Sequence, residues 1–177
     1  GSGFGEIAYF TKAILSRWLS LYSAKALFLK GDFNPQHGAP DMGPFLFTDT
    51  LFLFLGFIKL VKMGFTRQTL FIWSAVFLLS LPSALTIEKA NFERVITLFI
   101  PFIIIEAVGI TFFWEKIGRR KWLLAVVIAL YITNYVYFLD QYFIHGPKKN
   151  DAWQYGYKQM VEKATPLQAK YRQIVVQ

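Results

Sequence analysis

The chain has 177 residues, 55% of them hydrophobic and 19% aromatic, with a mean hydropathy of +0.39; an ordinary soluble domain is only about 45–50% apolar. It contains no cysteine, which excludes a disulfide framework and any cysteine-ligated metal site. A net charge of +8 in a soluble protein would suggest nucleic acid, but here the basic residues flank apolar blocks, so the expected partner is a lipid bilayer with anionic headgroups and not nucleic acid.

Residues 1–30 place Ile7, Tyr9, Phe10, Ile14, Leu15, Trp18, Leu19 and Tyr22 at helical spacing, interleaved with Lys12, Arg17 and Lys25. One oily face and two kinds of interfacial aromatic predict an amphipathic helix lying on the membrane surface. Residues 31–44 are dense in Gly and Pro, which cannot continue a helix, because Gly is entropically loose and Pro lacks a donor. They predict a structured loop carrying Asp32, Asn34, His37 and Asp41 at the mouth of a membrane helix.

Residues 45–142 hold four apolar segments, at about 45–60, 70–85, 95–114 and 122–142. Each approaches the roughly 20 residues that cross a hydrocarbon core of about 30 Å. Residues 143–177 are polar again. Asp151 is a plausible N-cap, Trp153, Tyr157 and Met160 form one helical face, and Ile174-Val-Val176 is a strand signal. The expected fold class is therefore all-α integral membrane: about four transmembrane helices, an outer interfacial helix, and the start of a small outer α/β domain that is truncated.

Charge orients these elements in a cell membrane. The short links after the first and third spans carry Lys59, Lys62, Arg67, Lys116, Arg119, Arg120 and Lys121 against Glu115 alone, whereas Lys89 and Arg94 in the remaining link are balanced by Glu88 and Glu93. Basic links stay cytoplasmic. The loop at 31–44, the link at 86–94 and the C-terminal tail are then extracytoplasmic and converge at one end, where function is to be sought.

Arg94 stands out at that end. With Asn91 capping the third span, Glu93 suits the positive helix terminus while Arg94 opposes it, unless an anion lies between them. A helix N-terminus beside an arginine is a ready phosphate site, with Lys89 as a second charge; the alternative is an interfacial arginine snorkelling to headgroups. His37 with Asp32 and Asp41 suits either an acid/base pair or a divalent metal, but the spacing matches no tight ligand motif, and loop His and Asp also hydrogen-bond the backbone. Asp49 and Glu106 fall within the apolar segments, where carboxylates are costly and mark functional or pairing positions.

The order of these features resembles a known family. Ala26-Leu-Phe-Leu-Lys-Gly31-Asp32-Phe-Asn34-Pro-Gln-His37-Gly, followed by Gly43 and Gly56-Phe57, is one part of it. Leu81-Pro82-Ser-Ala84-Leu85-Thr86 with Arg94 and Pro101 is the next, and Trp153-Gln-Tyr155-Gly156-Tyr157-Lys158 with Tyr171-Arg-Gln-Ile-Val-Val is the last. From about Tyr22 onward the chain resembles bacterial GT-C fold membrane glycosyltransferases that use polyprenyl-phosphate-linked sugars, the group that includes protein O-mannosyltransferases and lipid A aminoarabinose transferases.

The resemblance implies transfer of a sugar to a protein, lipid or glycan acceptor at the outer face. It assigns Arg94 to the lipid phosphate, with Lys89 beside it, and His37 and Asp32 to the loop that shapes the donor or acceptor cavity. It puts the catalytic acidic residue in an outer loop N-terminal to this chain, which would then be the C-terminal part of such an enzyme and inactive alone. Around Asn91 the chain departs from the pattern, since relatives often carry His before the arginine. Two other readings compete: a non-catalytic membrane scaffold or assembly subunit, and a transporter or flippase in which Glu106 and Asp49 couple ions across a shared interior cavity.

Overall fold

A computed structural model describes residues 3–32, 34, 37–86, 90–118, 120–149 and 156–167. Within them the backbone is helical and contains no strand. Helix α1 (Gly3–Leu21) stops short of the expected 1–30 boundary. Ser20 and Ser23 turn their hydroxyls back onto the Arg17 and Ser20 carbonyls, at 2.6 and 2.8 Å, and such local bonds compete with the helical ladder. Ser23 also accepts the Ala26 N–H at 3.1 Å, and the chain resumes as a π-helical segment at Lys25–Lys30.

The loop then runs to residue 48, and α2 is Asp49–Met63. The first span was expected to begin at 45. It begins later because the Phe45 N–H donates to the Leu27 carbonyl at 3.1 Å, and the Leu46 N–H donates to the Asp49 carboxylate at 2.8 Å.

Helix α3 is Arg67–Ala84, started by a reciprocal Thr66–Thr69 capping box and carrying Pro82 in its last turn. A 3-10 segment at Glu93–Leu98, broken at Val95 (φ −126°, ψ 29°), leads into α4, Phe99–Ile117. Helix α5 is Lys121–Asp140, extended by a π-helical turn at Gln141–His145 and the short α6, Gly146–Lys149. Helix α7, Gly156–Ala164, and a 3-10 turn at Thr165–Leu167 complete the described chain. The Ile174-Val-Val176 strand signal and the Asp151 cap lie outside the described residues, so the described part of 143–177 holds helices only and lends no support to an α/β domain.

Two stretches are long and apolar enough to cross a membrane: Glu93–Ile117, with 25 residues at a hydropathy of 2.4, and Trp122–Lys149, with 28 at 1.9. Of their most apolar windows, 33% of the first is buried and none of the second. An apolar helix that packs on so little protein is no soluble core helix, and the pair points to membrane association. The other two expected spans, α2 with 15 residues and α3 with 18, do not qualify.

The bundle is built on α2 against α4. Gly56 and Gly109 lie in the seam, where a Cβ on Gly56 would run into the Ile105 carbonyl and one on Gly109 into that of Phe52. Around them Leu53 and Leu60 pack with Phe102 and Ile105, all buried, while buried Phe52 meets the Phe113 and Tyr131 rings. Helix α3 adds Ile72 and Val76 to this core. Helix α1 docks on α3 through its C-terminal end: Trp18 Nε1 donates to the buried Ser80 hydroxyl at 2.6 Å, and the Tyr22 hydroxyl donates to the Val76 carbonyl at 3.1 Å. The rest of α1 leaves Ile7, Phe10 and Leu19 exposed.

Because backbone lies where a Cβ would go, Gly109→Ala forces α2 and α4 apart. The expected loss is about 1–3 kcal/mol, read as a lowered midpoint of thermal or detergent-induced unfolding, whereas Gly5→Ala, in helix α1 with open space around it, does not lower the midpoint.

Candidate functional site

The loop at 31–48 and the link before α4 meet at one end of the bundle, around the carboxylate of Asp32. Its side chain is only 2% exposed. Burying a carboxylate is costly unless donors surround it, and here three do. Asp32 Oδ1 accepts from the Asn34 N–H at 2.9 Å, and Oδ2 accepts from the Phe92 N–H at 2.9 Å and from His37 Nδ1 at 3.0 Å. The Phe92 contact joins segments 60 residues apart.

The turn that presents Phe92 is itself constrained. Ala90 is left-handed at φ 49°, which costs a non-glycine residue roughly 1–2 kcal/mol. The next two N–H groups hold it there: Asn91 donates to the Ser83 hydroxyl at 3.2 Å, and Phe92 to Asp32.

His37 has partners on both ring nitrogens. With Nδ1 donating to Asp32, Nε2 lies 3.0 Å from Glu93 Oε2 and 3.3 Å from Asn34 Nδ2. Both ring nitrogens thus have polar partners within hydrogen-bond distance, which fixes the plane of the imidazole. Asp32 and Asn34 hold it from the buried side, while Glu93 is 67% exposed and free to yield to an incoming group.

Beside this pair lies a cavity of about 410 Å³. Asp32 and His37 line its polar side; Phe92, Tyr135, Phe138 and Tyr142 supply rings. Tyr135 and Phe138 share one stripe of α5 with Tyr131, at i, i+4 and i+7, and Tyr142 follows in the π-helical turn. Outside the cavity lining, exposed Lys149 Nζ pairs with Asp41 Oδ2 at 2.8 Å. The hydrogen bond and charge of Lys149 hold the Asp41 carboxyl below the usual aspartate range.

Of the residues expected at a site, the structure brings Asp32 and His37 together and places both on the cavity. Arg94 is exposed and does not line it. Its N–H is held by the Asn91 side chain at 3.1 Å, but Phe92 is the N-cap of the 3-10 segment and Leu98 that of α4, so Asn91 does not cap the third span, Arg94 does not sit in the first turn of a long helix, and the dipole argument for it lapses. Lys89 lies outside the described residues. Asp41 faces Lys149 and not His37, and among the described residues no cluster of three or more His, Asp or Glu side chains is arranged to hold a metal ion.

A second polar cluster lies inside the bundle. The Tyr131 hydroxyl is 2.6 Å from Asp49 Oδ1 and 3.2 Å from Glu106 Oε1, so a single phenolic proton serves carboxylates from α2 and α4. Asn134 Nδ2 adds a bond to the Thr48 hydroxyl at 2.8 Å, further tying α5 to the start of α2.

Sequence reasoning did not single out Glu93 as a histidine partner, Tyr131 as a bridge, or the α5 aromatics as a cavity wall. The tyrosine stripe was the available signal; the other two depend on contacts between distant segments. In class, the fold and site define an all-helical bundle with two helices long and apolar enough to span a membrane and a polar–aromatic cavity at one end. Comparison with known protein families, curated proteins and solved structures finds no match to the chain.

Two outcomes follow. Asp32→Ala strands the buried Phe92 N–H and destabilises the protein by roughly 1–3 kcal/mol for that group alone, whereas Glu93→Gln, at an exposed position, costs less than about 1 kcal/mol in the same unfolding measurement. For Asp41, a lowered folded-state pKa means that its small contribution is present above the ordinary aspartate value and is lost as pH falls through the depressed one. An NMR titration of the Asp41 carboxyl carbon should give a midpoint below about 3.9, and Lys149→Ala should return it to the ordinary value.

Proposed function

We propose that the chain is part of a membrane glycosyltransferase that moves a sugar from a polyprenyl-phosphate donor to a protein, lipid or glycan acceptor at the outer face. The observation that carries this reading is the cavity at the loop end, with a fixed carboxylate–imidazole pair on one side and a row of aromatic rings on the other. Sugar rings present an apolar face and a fringe of hydroxyls, and rings opposite hydrogen-bonding side chains match that chemistry. In the transfer, the bond from the anomeric carbon to the donor phosphate breaks and the polyprenyl phosphate leaves with its electrons. The acceptor oxygen bonds to that carbon, and its proton passes to a carboxylate supplied by an outer loop N-terminal to this chain. Asp32 and His37 hold and orient the sugar or acceptor hydroxyls, while exposed Arg94, next to Glu93, takes the lipid phosphate with Lys89.

On this reading α2 and α3 also cross the bilayer, giving four spans. At 15 and 18 residues they measure about 22 and 27 Å at 1.5 Å per residue, and local thinning of the bilayer with snorkelling of the flanking lysines accommodates the shortfall. The basic links after α2 and α4 are cytoplasmic, and the loop, the Ala90–Glu93 turn and Lys149 are extracytoplasmic. A second reading, a transporter or flippase, is favoured by the Asp49–Tyr131–Glu106 cluster, an arrangement suited to carrying a proton.

Photo-crosslinking of the full-length protein with a polyprenyl-phosphate analogue tests the first reading. His37→Ala and Arg94→Ala should each lower labelling about tenfold or more, the loss expected when one charge-assisted hydrogen bond is removed; Arg94→Ala, at an exposed position, should do so with an unfolding midpoint close to wild type. Labelling that is unchanged in both variants removes the donor site from this end of the molecule.

A further inference from the structure

The opposite end of the bundle holds a second arrangement that the transferase reading leaves unused. Lys59 and Lys62 from α2 and Lys116 from α4 bring their ammonium groups to 5.1, 5.6 and 5.8 Å from the centre of one ring, that of Phe112. Like charges gathered on one ring repel, and a cation–π contact at a solvent-exposed position contributes only about 0.5–1 kcal/mol each. The compensation in view is small. Glu115 lies 3.3 Å from Lys59 and is itself 61% exposed. The C-termini of α2 and α4, which end at Gly64 and Gly118, contribute about half a negative charge each. Roughly one positive charge is left without a counterion, on the surface where α2 and α4 end side by side.

The surroundings of the cluster decide what supplies that counterion. Phe65, in the turn directly after α2, is 87% exposed, and Trp114 and Trp122 are 59% and 64% exposed. Tryptophan and phenylalanine standing out beside lysines are the signature of the headgroup level of a bilayer. A free phosphate ion would gain nothing from these rings, whereas a phospholipid lays its acyl chains along them.

We infer that the cluster of Lys59, Lys62 and Lys116 around Phe112, at the ends of α2 and α4, is a binding site for the phosphodiester headgroup of an anionic membrane phospholipid. Its single negative charge equals the charge left uncompensated, and lysines close to a membrane surface attract such headgroups. The inference rests on membrane association and not on the transferase reading, and it concerns residues at the other end of α2 and α4 from the cavity.

Native mass spectrometry of the full chain tests it after extraction from nanodiscs of phosphatidylcholine mixed equally with phosphatidylglycerol. Wild-type protein should retain phosphatidylglycerol over phosphatidylcholine, and inorganic phosphate should not displace it. The triple variant Lys59→Gln/Lys62→Gln/Lys116→Gln should bind it about a hundredfold more weakly, since each lysine near a membrane surface contributes roughly a fivefold effect. Glu115→Gln is the companion variant: it frees Lys59 and should raise retention, a result that loss of folding cannot imitate. Equal retention of both lipids by wild type, displacement by phosphate, or Glu115→Gln retaining no more than wild type would overturn the inference.

Discussion

The closest constraint in the molecule is the contact of α2 with α4 at Gly56 and Gly109, where each helix lays backbone into the space a side chain would need. Small residues at the seam let the two backbones approach, and the many van der Waals contacts made there hold the pair together. That one seam sets the register of everything along the two helices. Above it, Asp49 and Glu106 come within reach of one tyrosine hydroxyl. Below it, Lys59 meets Glu115, and Phe52 meets Phe113 edge-on at 5.4 Å. Widening the seam would disturb the acidic cluster and the basic one together.

The two ends of the bundle treat charge in opposite ways. At the loop end the decisive charge is buried and surrounded: Asp32 has donors from two backbone N–H groups and a histidine, and the left-handed Ala90 is held in place so that one of those donors points at it. At the other end the charges are exposed and largely uncompensated, gathered over a ring that attracts them weakly. A buried, satisfied carboxylate makes a rigid, specific site, since a misplaced partner leaves an unpaired group in a medium of low polarity. Exposed ammonium groups make a tolerant one, responsive to any anion that arrives at the right depth.

Composition and apolar runs were enough to place the helices, because a lipid-facing helix is apolar on most of its circumference and needs no periodic pattern to be recognised. They were not enough to fix the ends. Phe45 reads as the start of a span, but its N–H is taken by Leu27, and the helix waits for Asp49. Nor could run length count the spans: α2 is apolar yet only 15 residues long. At the site, the Gly/Pro density marked the loop, and His37 with Asp32 was visible inside it. Glu93 was read only as a balance to local charge. Its bond to His37 depends on a fold that crosses the bundle twice between them, and no local pattern encodes that. Arg94 shows the converse: Asn91 was legible as an acceptor for the N–H groups that follow it, but the break at Val95 that separates it from α4 was not.

The Asp32 carboxylate also orders events in time. Its bond to the Phe92 N–H spans 60 residues, with α2 and α3 lying between the two partners. Until α2 and α3 have carried residue 92 back to the loop end, Asp32 lacks that backbone donor and keeps water on that oxygen. Asp32 and Phe92 both line the cavity, so a ligand seated there would stabilise only those molecules in which this long-range contact has formed.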